Sequence, residues 1–270
     1  MARAIWSGSI GFGLVNVPVK VYSAVRSHSI GFHQLARGDL GRIRQKRVSS
    51  VSGEEVPYED IVKGYEIAPD QYVVIDAEEL EALDPEASRT IEIHDFVDLP
   101  DIDPIYFEQP YYLGPYDQAA AKPYRLLVEA MDATNKVAIG RFVMRTKEYL
   151  AAVRAKDGIL VLETMNYADE IVPQEEIEGV PGQDDVEVRP RELEMAKQLV
   201  ESLATDFDPE QYEDEYRSRV LELIERKAAG QEVVTQPTVE QPARVVDLMA
   251  ALEESLDAAK ERKKEKKRAS

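Results

Sequence analysis

The stretch RAIWSGSIGFGLVNVPVKVYS, residues 3–23, decides the fold. Its second half places a valine at every second position from Val17 to Val21, which is the period of a half-buried strand. Its first half also predicts a strand, in which Gly8, Gly11 and Gly13 indicate bulges or close approach of two backbones. Such glycines are used where a sheet curves strongly. The stretch therefore predicts two neighbouring strands of a barrel or a curved sheet.

Charge is segregated along the chain. The formal net charge is −19, yet Arg3–Arg47 carries eight basic residues and one acidic residue, and Lys122–Lys156 carries eight basic and three acidic residues. The segments 48–121 and 157–254 are strongly acidic, and 255–270 is basic again. Two cationic blocks in an acidic protein are typical of a face that binds a polyanion. From composition alone, solvated strand faces explain the blocks equally well.

The composition argues against several classes of protein. No apolar run approaches the roughly 20 residues of a membrane helix, and the start of the chain lacks the apolar core of a signal peptide. The absence of cysteine excludes disulfides, thiolate nucleophiles and cysteine-ligated zinc. The three histidines match no metal-ligand spacing. We therefore expect a cytoplasmic protein that is not an enzyme and has no cofactor and no bound metal.

Further alternating stretches predict more strands. Two lie in the first basic block, at Ile30–Leu35 and Arg42–Val48. In the second of these, Arg42, Arg44 and Lys46 share one face, which predicts a cationic ladder along a strand. Strands are also predicted at residues 71–75, 90–97, 110–113, 136–146, 148–155 and 158–164.

Turn and cap residues place the remaining elements. Asp157-Gly158 is a hairpin signal between two of the predicted strands. Residues 58–66 are predicted as a short helix or turn. Asp76 and Asp208 have the chemistry of helix N-caps, which accept backbone N–H groups. Helices are predicted at residues 76–83, 123–132, 190–203, 208–229 and 244–257.

The last predicted helix carries an apolar stripe that it cannot bury by itself, so it is expected to dock on a partner or on its own core. The stripe consists of Val245, Leu248, Met249, Leu252 and Leu256. A cationic tail follows, which is either a solvated terminus or an arm that contacts phosphates. Its basic residues are Lys260, Arg262, Lys263, Lys264, Lys266, Lys267 and Arg268.

Several segments together resemble the bacterial Ku proteins. They are residues 3–23, FHQL at 32–35, GRIRQKRV at 41–48, DIVKGYE at 60–66, IEI at 91–93, IDPIYF at 102–107 and PRELEMA at 190–196. The resemblance runs nearly end to end. It implies an α+β fold, with a Ku-type β-barrel core, peripheral helices and helical C-terminal arms. It also implies a ring-forming homodimer that threads onto double-stranded DNA ends and recruits an ATP-dependent, multifunctional DNA ligase for non-homologous end joining.

The resemblance also implies a division of the chain. Residues 1–185 would form the barrel core with a bridge that encircles DNA, and residues 186–229 a helical arm that supports the core and the dimer. Residues 230–243 would be a linker, and residues 244–270 a partner-binding helix with the Lys-rich tail. Ligase contact and additional DNA contact would lie in this last segment.

On this interpretation, cations of both basic blocks line the ring and contact phosphates without reading bases. The predicted phosphate contacts are Arg37, Arg42, Arg44, Lys46, Arg47, Lys136, Arg141, Arg145, Lys147, Arg154 and Lys156.

One position departs from the family pattern. Family members often carry Cys-x-x-Cys followed by glycine after the basic strand, and this chain has Ser49 and Ser52 at the matching positions, before Gly53. Since serine is a poor zinc ligand, zinc is not expected. Two other functions stay open from the residues alone: an acidic protein-interaction scaffold whose basic strands are merely solvated, and a metal-dependent nuclease, for which the sequence lacks an organised ligand set.

Overall fold

A computed structural model describes residues 2–76, 78–79, 89–144, 147–182, 185–230 and 248–269. The chain divides into two units, residues 1–176 and 177–270, which are described separately. Most of the predicted helix at 76–83 and nearly all of the predicted linker at 230–243 lie outside the described residues.

The first unit contains a β-barrel, a two-stranded sheet and an α-helix that packs on the barrel. The strands are β1 (Trp6–Phe12), β2 (Val15–Ser23), β3 (Lys63–Ala68), β4 (Gln71–Ile75), β5 (Thr90–Asp98), β6 (Phe107–Pro115), β7 (Lys136–Met144), β8 (Lys147–Lys156) and β9 (Ile159–Met165), and the helix is α1 (Ala121–Thr134). The barrel closes in the order β1-β2-β6-β9-β8-β7-β5, and β3 pairs with β4 separately. The predicted α+β class with a β-barrel core is confirmed.

Alternation along the strands fills the barrel. Val17, Val19 and Val21 of β2 are no more than 1% exposed, as their period-2 spacing predicts. They pack in one cluster with buried side chains of the other strands, including Leu113 and Leu160. Full burial of an aliphatic side chain of this size contributes about 1.5–3 kcal/mol, so this interior is the main source of the unit's stability.

A parallel pair closes the barrel. Seven strands cannot alternate in direction all the way around a closed sheet, and the exception is β1 beside β5, where Ile10 lies opposite Ile91. A side chain at Gly8 would overlap the carbonyl oxygen of Arg89, and one at Gly11 would crowd Thr90. The predicted close backbone approach at these glycines is therefore confirmed. Gly13, with a φ of +56°, instead lies in the turn between β1 and β2.

The hairpin between β8 and β9 follows its sequence signal. Asp157 and Gly158 both have positive φ, 50° and 79°, as a tight turn that matches the twist of the two strands requires. The turn sets Lys156 opposite Ile159 and Arg154 opposite Val161, so both cations lie on the outer face of the barrel.

Helix α1 is tied to the barrel by a buried tyrosine. The hydroxyl of Tyr124 donates to the carbonyl oxygen of Leu113 at 2.6 Å and accepts from the backbone N–H of Leu160 at 3.0 Å. These two residues face each other across β6 and β9, so one side chain satisfies a backbone group of each strand. Burial raises the pKa of Tyr124 above its usual value of 10.0, which keeps the hydroxyl a neutral donor.

The predicted strands at Ile30–Leu35 and Arg42–Val48 are wrong. Residues 24–57 are described throughout, and they contain only two isolated bridges, Leu35 with Arg42 and Val48 with Glu55. The alternating pattern is present, but its apolar side is not covered by the described residues of this unit, and Ile43 is 51% exposed. Residues 58–66 contain the predicted turn at Tyr58–Asp60, after which β3 begins.

The second unit is helical. Its α-helices are α2 (Pro190–Leu203), α3 (Glu215–Ala228) and α4 (Leu248–Ala269). Helix α2 has the predicted bounds. Asp208 caps only a single 3-10 turn, Pro209–Gln211, and α3 begins later, where Asp214 accepts the N–H of Arg217 at 2.9 Å. The predicted start at Asp208 is therefore wrong, because a second aspartate downstream caps the α-helix.

Replacing Tyr124 with phenylalanine is expected to lower the free energy of unfolding by about 1–3 kcal/mol, because a buried carbonyl and a buried N–H lose their partner. Urea unfolding followed by circular dichroism measures the loss. The control is Tyr116→Phe, since Tyr116 is 45% exposed and its change should stay within about 0.5 kcal/mol. Equal stability of the Tyr124→Phe variant and the wild type would contradict this role.

Candidate nucleic-acid interface

Most cations of the first basic block lie in an exposed arm, residues 24–57, between β2 and the turn that precedes β3. Between Arg26 and Arg47 it carries six basic residues and one acidic residue, Asp39. Short backbone contacts hold its shape, among them Ile43 N–H to the Gln34 carbonyl at 3.0 Å. The arm thus presents cations on loops, and the predicted ladder along a strand face is not formed.

The cations of the arm differ in their partners. Arg37, Arg42 and Arg44 are exposed, and none of them has an ion pair within the part of the chain that the structure describes. Lys46 pairs with Glu55 at 2.5 Å, and the Arg47 guanidinium lies 5.1 Å from the centre of the Tyr58 ring. The three unpaired arginines are the most available to an anionic ligand.

A serine turn sits at the tip of the arm. The Ser49 hydroxyl accepts the N–H groups of Val51 and Ser52, each at 3.3 Å, and the Ser52 hydroxyl accepts from Glu54 at 3.2 Å. The Gly53 N–H donates to the Ser49 carbonyl at 2.9 Å, with Gly53 at a φ of +73°. Hydroxyl and backbone hydrogen bonds therefore close the turn.

The second basic block lies on the barrel and is largely paired. Lys136 contacts Asp98 on β5 at 2.8 Å, and Arg125 of α1 contacts Glu129 at 2.7 Å. Arg154 contacts Glu163 on β9 at 3.0 Å, and this pair is the most buried, with side chains 23% and 15% exposed. These cations face solvent with a carboxylate already beside them.

Arg141 lies in a small network on the outer wall. Its Nη1 is 3.8 Å from Glu148, and its Nε donates to Nε2 of His94 at 3.4 Å. The Tyr167 hydroxyl donates to the same Glu148 carboxylate at 3.2 Å. Burial, together with Glu148, raises the pKa of Tyr167 above 10.0, so this hydroxyl stays protonated and holds the carboxylate in place.

The three other predicted phosphate contacts on the barrel differ in their surroundings. The Lys147 ammonium lies 5.1 Å from the centre of the Tyr149 ring. Lys156 is exposed and has no ion pair among the described residues. Arg145 lies outside the described residues.

The sequence pattern identified the cations but not their partners. Asp98 and Glu163 lie on neighbouring strands, 38 and 9 residues away from Lys136 and Arg154. Sequence spacing does not predict such pairs, because the order of the strands in the sheet brings the two side chains together. The ring partner of Arg47, Tyr58, was likewise not foreseen.

Helix α4 packs within the second unit. Leu256 and Ala259 are buried, 8% and 7% exposed, and the helix contacts α2, where Arg191 reaches Glu253 at 4.0 Å. Leu256 of the predicted partner-binding stripe is therefore covered by the chain's own helices. Met249 and Leu252 are half-buried, while Val245 lies outside the described residues, as does the side chain of Leu248.

The backbone of α4 continues through the Lys-rich tail to Ala269, beyond the predicted end at 257. Lys260 is 3.7 Å from Asp257. The side chains of the other six predicted tail residues lie outside the described part of the structure.

The described residues contain no group of three or more histidine or carboxylate side chains placed to hold a metal ion. Nor does any described helix have the length and apolarity needed to cross a membrane.

Comparison with known proteins gives consistent results. Residues 11–195 match the model of the Ku70/Ku80 beta-barrel domain. A non-homologous end joining protein Ku from Anaeromyxobacter sp. (strain K) is 53% identical, over 97% of this chain and 88% of that protein. Another from Saccharopolyspora erythraea is 46% identical, over 96% and 80%. One from Mycobacterium tuberculosis is 43% identical, over 95% of each chain.

Metal analysis of purified protein is expected to find no stoichiometric zinc, because the turn at Ser49–Gly53 offers hydroxyls that already accept backbone N–H groups. A purified zinc protein carried through the same protocol is the control. One zinc per subunit or per dimer would contradict the prediction.

Proposed function

Because this chain belongs to the Ku β-barrel family, we propose that it is a non-catalytic homodimer that binds double-stranded DNA ends without sequence preference. It recruits an ATP-dependent, multifunctional DNA ligase for repair of double-strand breaks by non-homologous end joining. The observation that carries the proposal is the exposed cationic arm, residues 24–57, inserted between strands of a Ku barrel in a protein of net charge −19. The protein then acts in the bacterial cytoplasm, at the nucleoid.

Unpaired arginines of the arm are the first phosphate contacts. Among the described residues, no carboxylate pairs with Arg37, Arg42 or Arg44, so a DNA phosphate does not have to displace one to bind them. Arginine matches the geometry of a phosphate through two parallel N–H groups. Contacts of this kind to the backbone carry no sequence information, which accounts for binding without sequence preference.

The barrel cations that already sit in ion pairs are expected to contribute less to DNA affinity. Lys136 and Arg141 sit in exposed ion pairs, which stabilise a protein by only about 0–1 kcal/mol, so a phosphate can replace the carboxylate at low cost. Arg154 is held more firmly by Glu163 in a partly buried pair. The unpaired arginines of the arm are therefore expected to contribute more to DNA affinity than the paired cations of the barrel wall.

The homodimer is supported by apolar surface that one subunit leaves open. Between Val25 and Val74 many large apolar side chains are exposed, including Phe32 at 72%, Tyr65 at 67% and Val74 at 55%. A two-stranded sheet such as β3–β4 is marginally stable by itself and needs a further strand or another element to pack on. Contact with a second copy would bury this surface and hold both arms around one duplex.

Selection of ends follows from the topology of a ring. A closed ring can load only where a duplex terminates, and the acidic remainder of the protein repels DNA that approaches from the side. End preference therefore requires no chemistry at the terminus and no catalytic group.

Helix α4 is the proposed site of ligase contact. Its stripe contains Met249, Leu252 and Leu256, of which Leu256 packs within the second unit. The basic end of the helix, from Lys260 onward, supplies additional phosphate contacts.

The protein is expected to bind a linear duplex and to fail to bind the same sequence closed into a circle, in a gel-shift titration at fixed salt. Equal binding to both forms would overturn the ring and leave an ordinary basic groove. Binding to neither would favour the acidic scaffold, and loss of substrate that depends on a divalent metal would favour a nuclease.

The double variant Arg42→Ala/Arg44→Ala should reduce the slope of log K against log salt by about 1.8 in magnitude, because each lost phosphate contact removes about 0.9. Binding should weaken uniformly across DNA sequences. Arg125→Ala is the matched control, since this exposed arginine pairs with Glu129 and lies outside the predicted set. A slope unchanged by the double variant, or a loss confined to one DNA sequence, would remove these arginines from the interface.

A further inference from the structure

A row of side chains crosses four neighbouring strands on the outer wall of the barrel. Tyr22 of β2 lies opposite Tyr112 of β6, which lies opposite Val161 of β9, which in turn lies opposite Arg154 of β8. The flanking residues Val21, Leu113, Leu160, Leu162 and Val153 point into the barrel and are buried. Because side chains alternate across a sheet, the four members of the row share the outer face. We call them the tyrosine row.

Two cavities lie over this row and share part of their lining. One, of about 330 Å³, is lined by Tyr112, Val161 and Arg154 together with Lys156. The other, of about 500 Å³, is lined by Tyr22, Tyr112 and Arg26. Tyr112 and Ile159 border both cavities, so the two form one continuous groove along the row.

Both tyrosine rings are presented to this groove. Tyr112 is 43% exposed although it sits in the middle of a strand of the barrel. The ring of Tyr22 lies over Gly114, where a β-carbon would come within 3.3 Å of its edge. The glycine thus leaves room for the Tyr22 ring beside Tyr112.

Cations border the same groove. Arg26 lines one of the two cavities and Lys156 lines the other, and neither has an ion pair among the described residues. Nη2 of Arg154 is held by Glu163 at 3.0 Å, while its buried Nε has no hydrogen-bond acceptor in the described structure. Asp157 and Glu163 also line the groove, so its net charge is only slightly positive.

Aromatic rings between cations match one class of ligand best. Single-stranded nucleic acid stacks its bases on aromatic side chains and places its phosphates on neighbouring cations. The bases of a duplex have their faces covered by neighbouring base pairs, so only an unpaired strand can stack its bases on the tyrosines. A broken DNA end carries such a strand whenever it has an overhang.

We propose that the tyrosine row binds the single-stranded overhang of a DNA end, with bases on Tyr22 and Tyr112 and phosphates on Arg26 and Lys156. This proposal rests on the proposed function, in which the cationic arm and other barrel cations hold the duplex part of the same end. Lys156, predicted from the sequence as a duplex contact, is assigned here to the overhang. The chain then distinguishes an end with an overhang from a blunt end, although it reads no base sequence.

The experiment compares fluorescent duplexes closed by a hairpin at one end, with the other end blunt or carrying a short thymidine overhang on the 3′ or the 5′ strand. Fluorescence anisotropy at fixed salt gives Kd for the wild type and for Tyr22→Leu, Tyr112→Leu and the double variant. Leucine keeps an apolar side chain in each strand and removes the ring. Tyr116→Leu is the control, since Tyr116 is 45% exposed and its ring is covered by the Lys20 ammonium at 4.6 Å.

The wild type and the Tyr116→Leu control should bind at least one overhang about tenfold more tightly than the blunt end, and the double variant should lose this gain while its blunt-end Kd is unchanged. The single variants should each lose part of it, and thermal unfolding verifies that all variants are folded. No gain in the wild type, or a gain that the double variant retains, overturns the proposal.

The same experiment distinguishes a failure of the proposed function from a failure of the overhang assignment. If the double variant weakens blunt-end binding by the same factor, the row belongs to the duplex path and the overhang assignment is overturned. If the wild type binds no duplex but binds a free thymidine oligomer through the two tyrosines, end binding is overturned and the row still binds single strands. If it binds no nucleic acid of either kind, both proposals are overturned.

Discussion

The parallel pairing of β1 with β5 is the constraint on which the barrel depends. In a closed sheet of seven strands, at least one neighbouring pair must run in the same direction, and here that pair joins the first strand to β5, the first barrel strand after the arm. The Ser9 N–H donates to the Arg89 carbonyl at 2.8 Å, and Gly8 is the residue that lets the two backbones approach. The glycines near the N-terminus therefore determine whether the sheet closes or stays open.

Closure of the barrel also determines where cations can act. With its interior filled by apolar side chains, the charged side chains of β7 and β8 lie on the outer face or, like Lys136 and Lys147, at the end of a strand, next to charges of the neighbouring strands. Carboxylates on β5 and β9 therefore meet Lys136 and Arg154. The arm leaves from β2 and has no such neighbours, so its arginines stay unpaired within the described structure. The difference between the two basic blocks follows from sheet topology and cannot be seen in their sequences.

Local signals predicted most of the elements. The valines of β2, the Asp157-Gly158 turn and the bounds Pro190–Leu203 all follow from periodicity or turn chemistry. The segment Arg42–Val48 shows the limit of such signals: an alternating pattern makes a strand possible, but a strand forms only where a neighbour accepts its hydrogen bonds and its apolar face. For the candidate site, charge pointed to the cations, while the tyrosine row became visible only when the strand register placed Tyr22 beside Tyr112.

The serine turn of the arm has a consequence for the conditions in which the protein can work. Thiolates that hold a metal are attacked by peroxides, and their oxidation releases the metal and opens the loop they close. The hydroxyls of Ser49 and Ser52 do not undergo this chemistry, and the chain has no cysteine elsewhere. The same oxidants break DNA strands, so this arm keeps its shape under the stress that creates its substrate.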